Sequence, residues 1–207
     1  MAQESHERQF HGRADRLRSP ERRALLEVDR VVTLSVEGLA VRRVLDVGTG
    51  AGLFAEAFAA RGYAVAGIDA NGSMVEAARR FVPQAEFREA TAEAIPYADG
   101  AFDLVFMAHV LHETDDPAKA LAEARRVSTA RVVVLEWPYA AEEEHGPPLE
   151  IRLKPEVVLE MAKQAGLGRV EHLRLAHMDL YRMATRSHGD QVARRSGPRV
   201  PENGGER

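Results

Sequence analysis

Three glycines at alternate positions, Gly48, Gly50 and Gly52, stand between a short apolar run, Val44 to Val47, and a stretch from Leu53 to Ala60 that reads as helix. Strand, tight turn and helix therefore follow one another with almost no spare chain. Glycine tolerates a positive φ and lacks a Cβ, so a backbone turn built from it can approach a bound molecule closely. The first N–H groups of the following helix have no partners inside the helix and point back at whatever fills the turn. A nucleotide-like ligand is the first expectation.

The rest of the chain supplies a frame for such a turn. Tyr63 to Asp69, Ala85 to Glu89, Phe102 to Ala108 and Arg131 to Glu136 are short apolar runs that read as strands, and Phe102 to Ala108 has the near-continuous apolar character of a buried parallel strand. Between them, Met74 to Phe81 and Pro117 to Val127 read as helices, the second capped by Asp115-Asp116. Ser19-Pro20-Glu21 announces an earlier helix, expected to run to about Leu39. A helix from Pro155 to Ala165 and two strands, Arg169 to Leu175 and Asp179 to Thr185, close the pattern. Five alternations of strand and helix predict an α/β fold with an open parallel sheet and helices on both faces. Ligands in such sheets lie beyond the carboxyl ends of the strands. The Gly turn, Asp69, Thr91 to Glu93, His109 and Glu136 would gather there.

Residues 1–19 are expected to be a flexible or lid-like segment, residues 20–186 the domain, with a substrate-side insertion at 137–150, and residues 187–207 a disordered tail. With 207 residues, 45% of them hydrophobic, one domain with a substantial core is the expectation. The formal net charge of -4 offers no general basic field, which argues against nucleic acid as a partner. Cysteine is absent, so thiolate metal sites and cysteine nucleophiles are excluded. No apolar run approaches the ~20 residues needed to cross a membrane, and the first 18 residues are charged throughout. We expect a cytoplasmic protein without membrane contact, a monomer or a homodimer.

Two glycine-rich patterns compete for the turn. The dinucleotide fingerprint G-x-G-x-x-G needs a third glycine where Leu53 stands, which counts against an NAD-dependent oxidoreductase. The pattern D-x-G-x-G-x-G fits Asp46, Gly48, Gly50 and Gly52, with an acid, Asp69, closing the second strand. On these residues, and on the stretch Ala90-Thr91-Ala92-Glu93-Ala94-Ile95-Pro96 continuing to Phe102-Asp103-Leu104-Val105, the sequence resembles the class I S-adenosylmethionine-dependent methyltransferases. Within them it looks like the small-molecule branch related to the ubiquinone and menaquinone C-methyltransferases, the type 11 methyltransferases. The resemblance covers about Leu39 to Arg131, and more loosely extends to Arg186.

The resemblance implies a Rossmann-like, doubly wound, mostly parallel seven-stranded sheet with an antiparallel last strand, and S-adenosyl-L-methionine as cofactor. It places the cofactor against Asp46, Gly48, Thr49, Gly50, Gly52, Asp69, Ala70, Met74, Thr91, Ala92, Glu93 and Ala108. Asp69 would accept the two ribose hydroxyls, for which a carboxylate is chemically suited. Thr91 departs from the acid that the family often carries beside the adenine.

The methyl acceptor is expected after the fourth strand. His109, His112 and Glu113 would share one face if this stretch were a helical turn. Either histidine could take a proton from an acceptor that must lose one, so His109 and His112 are the candidate catalytic residues. His109, Glu113, Glu136, Trp137 and Tyr139 are the candidate pocket, with His145, Arg152 and His177 as further lining and Gly146-Pro147-Pro148 stiffening the insertion. Trp137 either stacks on a planar acceptor or packs under the loop. No metal is expected. The leading reading is methyl transfer to a small molecule; the rival is a non-catalytic module that binds S-adenosylmethionine or S-adenosylhomocysteine.

Overall fold

The computed structural model describes residues 14–140 and 145–185. The expected disordered tail and the start of the N-terminal segment lie outside the described residues. Seven strands form one sheet: β1 (Arg43–Val47), β2 (Ala64–Asp69), β3 (Glu86–Glu89), β4 (Phe102–Ala108), β5 (Ser128–Glu136), β6 (Gly168–Arg174) and β7 (Asp179–Ala184). Their spatial order is β3-β2-β1-β4-β5-β7-β6. The first five are parallel, and β7 runs antiparallel between β5 and the edge strand β6. The expected antiparallel strand is present.

Why the central strands read as unbroken apolar runs is plain from their two faces. Successive side chains of a strand point to opposite sides of the sheet. Leu45, Val47, Val105, Met107, Val132 and Val134 face α5 (Pro117–Val127) and α6 (Pro155–Gln164). Val44, Leu104, Phe106, Val133 and Leu135 face α2 (Val28–Val36) and α3 (Leu53–Ala59). On that second face Phe106 meets Phe54 and Phe58 at ring-centroid distances of 4.7 and 5.4 Å. At the other end of the sheet, α4 (Gly72–Phe81) packs Val75 and Ala78 against Phe87 of β3.

The single helix expected from Pro20 to Leu39 is instead two. A six-residue α1 (Pro20–Leu25), capped by Ser19, stops before α2. Between them Glu27 adopts a left-handed backbone with φ 46. Leu26 and Val28 are both buried, yet on one continuous helix residues two apart face directions about 200° apart. The left-handed residue resets the phase, so that both reach the core. The Ala176 N–H donates to Glu27 Oε1 at 2.8 Å and holds this corner against the turn between β6 and β7.

The N-terminal segment is tied down where it is described. Arg18 donates to the carbonyl of Ala51 at 3.0 Å, pairs with Glu56 at 2.7 Å and lies 4.3 Å above the ring of Phe81. A 3₁₀ turn, Ala14–Arg18, is thereby clamped over the start of α3.

Candidate functional site

Gly48, Gly50 and Gly52 all have positive φ, at 65, 52 and 79. Each meets a different neighbour. A Cβ on Gly48 would lie 2.2 Å from Val110 Cγ2, so the segment after β4 presses directly on the turn. Gly52 abuts Ala78 and Val82 of the α4 region, which makes it a helix-packing glycine. Gly50 faces Leu17 of the N-terminal turn, and its N–H donates to Asp69 Oδ2 at 2.8 Å. The other oxygen of Asp69 accepts the Asn71 N–H at 2.9 Å. Burial raises the pKa of Asp69 despite these two donors.

Asp46, at the end of β1, is 2% exposed and accepts the Thr49 hydroxyl at 2.7 Å. Burial, reinforced by the charge of Asp69, pushes its pKa up to about 7. An acid held this way gains if a cation arrives beside it.

One cleft of about 1280 Å³ runs along the carboxyl edge of the sheet. Typical single-ligand pockets span ~300–1,000 Å³, so a second small molecule has room beside a nucleoside. Of the residues anticipated for the cofactor, Asp46, Gly48, Gly50, Asp69, Ala70, Met74, Thr91, Ala92, Glu93 and Ala108 line it. Thr49 and Gly52 do not: the Thr49 hydroxyl is spent on Asp46, and Gly52 is packed against α4. Glu93 lines the cleft and also accepts the Asp115 N–H at 3.1 Å, which joins the segment after β3 to the start of α5.

At the far end, the helical turn expected to align His109, His112 and Glu113 is only partly formed. A 3₁₀ turn spans Leu111–Glu113, while His109 has φ 59 and stands outside it. All three still line the cleft. His109 stacks on Trp137 with ring centroids 4.9 Å apart, and its Nε2 lies 3.2 Å from Met178 Sδ. Burial, then the charges of Arg22 and His112, hold its pKa well below the ordinary histidine value. It stays neutral.

His112 is built differently. Its Nδ1 is 2.7 Å from Glu136 Oε2, and Glu136 Oε1 accepts the Leu111 N–H at 3.0 Å. Both side chains are almost wholly buried. Burial alone would lower the pKa of His112, but the charge of Glu136 and the hydrogen bond to it outweigh that, and the pKa is raised. The carboxylate thus fixes the ring and its tautomer, leaving Nε2 as the other end of the imidazole.

Four anticipated pocket residues, Glu136, Tyr139, Arg152 and His177, are absent from the lining. Glu136 sits behind His112, and Tyr139 lies under the ammonium of Lys154, 5.1 Å from its ring centre. Trp137 lines the cleft but is only 5% exposed, covered by His109 and by Gly146, whose added Cβ would be 2.4 Å from the indole. It packs under the loop. His145 lines the cleft, while Arg152 donates to the carbonyls of Pro138, Ala140, His145 and Pro147 and so binds the insertion together. His177 belongs to a neighbouring hollow.

Sequence reasoning missed Arg22, Leu25 and Leu26, which α1 and its end bring to the cleft, Leu17 from the 3₁₀ turn before it, and Ile151 from just after the insertion. The Ser19-Pro20 cap announced that helix, but no local signal says which end of the sheet a helix will cover.

Residues 45–133 match the family model described as a methyltransferase domain. A demethylmenaquinone methyltransferase of Thermus thermophilus is 40% identical over 117 residues, covering 53% of each chain. One from Renibacterium salmoninarum is 36% identical over 110 residues, 52% of this chain and 46% of its own. The chain spans about half the length of these curated relatives. Among solved structures, an S-adenosylmethionine-dependent methyltransferase from Aquifex aeolicus superposes with a TM-score of 0.74 at 26% identity, over 84% of this chain and 97% of that one. Magnesium protoporphyrin IX methyltransferase from Synechocystis, solved with its cofactor, shares the fold with a TM-score of 0.61 at 19% identity, over 79% of this chain and 80% of that one. The glycine turn under Val110, the acid at the end of β2 and the lining from Ala90 to Glu93 suit S-adenosyl-L-methionine, whose ribose, adenine and amino-acid tail need those three surfaces. Over residues 45–133 the chain is similar to methyltransferase domains, among them those of demethylmenaquinone methyltransferases, and its fold is that of a solved S-adenosylmethionine-dependent methyltransferase.

Proposed function

We propose that the protein transfers a methyl group from S-adenosylmethionine to a small molecule that loses a proton in the process, with His112 as the base. The observation that carries this reading is His112, which lines the same cleft as Asp69 and the glycine turn and is held from behind by Glu136. When bound, S-adenosylmethionine supplies a sulfonium methyl and departs as the thioether.

In this reading Asp69, already fixed by two backbone N–H groups, offers its remaining lone pairs to the ribose hydroxyls. Asp46 receives the ammonium of the amino-acid tail, which brings its pKa back down. Thr91, Ala92 and Glu93 form the wall along the base. His112 takes the acceptor's proton on Nε2, while Glu136 stabilises the imidazolium that forms. His109, neutral and stacked on Trp137, shapes the pocket and holds no proton in play. Most of the acceleration comes from positioning, as an in-line displacement requires. The acceptor is then a hydroxyl or another acidic X–H group.

Calorimetry with S-adenosylhomocysteine and NAD tests the cofactor half: S-adenosylhomocysteine is expected to bind and NAD not to. Tight NAD binding without response to S-adenosylhomocysteine would sink the reading. Incubating metabolite extracts with methyl-labelled donor tests the transfer half, and a labelled product that disappears in His112→Gln is the expected result.

A further inference from the structure

A second hollow of about 630 Å³ adjoins the outer end of the cleft, and the two share Arg22, Leu25 and His145. Arg22 therefore stands at the junction. Among the described residues, the other arginines that are not surface-exposed donate to a carboxylate or a carbonyl. Arg18 reaches Ala51 and Glu56, Arg126 reaches Glu123, Arg152 reaches backbone carbonyls, and Arg182 reaches Glu171 and Glu37. Among the described residues Arg22 makes no hydrogen bond or ion pair through its side chain, although it is half-buried and its charge is felt by His109. Glu113 acts on it only through space. Burial pulls its pKa down, but a guanidinium remains charged at neutral pH. A half-buried guanidinium whose donors no described residue accepts is stabilised by a group that arrives to accept them.

The helix that carries it is fixed in place. Ser19 Oγ caps the Arg22 N–H, Arg18 clamps the preceding turn to Ala51, and Arg23 bonds to Asp29 on the next helix. Placement of Arg22 is thus set by the scaffold, as a recognition group requires.

Resting on the methyl-transfer reading above, we propose that Arg22 recognises an oxyanion, a carboxylate or phosphate, on the methyl acceptor. The apolar neighbours Leu25, Leu26 and Ile151 suit the uncharged body of that acceptor. An anion held at Arg22, near the outer hollow, aims the remainder of the molecule inward at His112. S-adenosylmethionine also carries a carboxylate, but Arg22 shares its second hollow with Glu27, His145 and His177 and with none of the glycine-turn residues.

The test uses the full chain saturated with S-adenosylhomocysteine, titrated with benzoate and phenyl phosphate and with the neutral counterparts benzamide and benzyl alcohol. At least one anion is expected to bind, its affinity falling with added salt. Arg22→Gln should weaken that anion about tenfold to a hundredfold, and Arg22→Lys less, while the neutral probes bind both forms alike. Preference between benzoate and phenyl phosphate identifies the group. Failure of both anions to bind, or equal binding by Arg22→Gln, would overturn the proposal. So would an equal loss of S-adenosylhomocysteine affinity in Arg22→Gln, which would assign the arginine to the cofactor. The methyl-transfer reading fails separately, if the wild-type chain does not bind S-adenosylhomocysteine at all; the anion titrations are therefore repeated without it.

Discussion

At the scale of single residues, the site turns on acids kept in unfavourable surroundings. Asp46 has a pKa near 7 because it is buried beside Asp69, so it is largely ionised only above neutrality. If it receives the cofactor's ammonium, S-adenosylhomocysteine affinity should rise as pH goes from 6 to 8. Asp46→Asn should flatten that dependence, which calorimetry at several pH values would show. Asp69→Ala should weaken S-adenosylhomocysteine about tenfold to a hundredfold; unchanged affinity would refute the ribose assignment. Glu136→Gln keeps the shape of the His112 partner but removes its charge. Turnover should fall about 10–100-fold, and the acid limb of the pH–rate profile should move to lower pH, because His112 loses the charge that raises its pKa. A merely structural Glu136 would leave that limb where it was.

Among the elements, the turn between β1 and α3 was legible in the sequence because everything that defines it is local: three glycines, an acid before them and an apolar helix after. The segment after β4 was legible only in part. Histidine spacing suggested a helical turn, but Val110 packs on Gly48, and His109 beside it takes φ 59 and leaves the turn. That contact lies 62 residues apart in the chain and no periodicity reports it. Gly48→Ala should cost about 2–4 kcal/mol, from the left-handed backbone together with the overlap on Val110. Val110→Ala in the same chain should restore part of the loss, so a double-mutant cycle by chemical denaturation would show coupling. The break between α1 and α2 escaped prediction for a similar reason. Glu27 carries no sequence mark of a left-handed residue, and only the need to bury both Leu26 and Val28 makes it one. Arg22 escaped altogether, since its meaning lies in what surrounds it.

For the whole molecule, Asp46 and His112 drive the pH dependence in one direction, and His109, whose folded pKa is lowered, opposes them between that lowered value and 6.5. Asp46 has a folded pKa near 7 against the ordinary 3.8, so the stability it confers is present below 3.8 and lost as pH rises towards 7. His112 also has a raised folded pKa; its contribution is present below 6.5 and lost as pH climbs through the higher folded value. The protein without cofactor should therefore melt at higher temperature at pH 6 than at pH 8, and S-adenosylhomocysteine should narrow the gap. Scanning calorimetry at the two pH values checks this. The architecture itself was readable from five strand–helix alternations, and the solved methyltransferases share it. What the alternation does not tell is which surfaces the remaining chain covers.

The reversed strand β7 has a consequence for how the chain is made. It is the neighbour that completes β5, pairing Arg131 to Glu136 with residues 179–184. Until those residues leave the ribosome, the Val132 to Leu135 stretch presents an unpaired, wholly apolar edge. The growing polypeptide thus spends the synthesis of more than forty residues with its stickiest strand open, and a nascent chain halted before β6 should depend on chaperones to stay in solution.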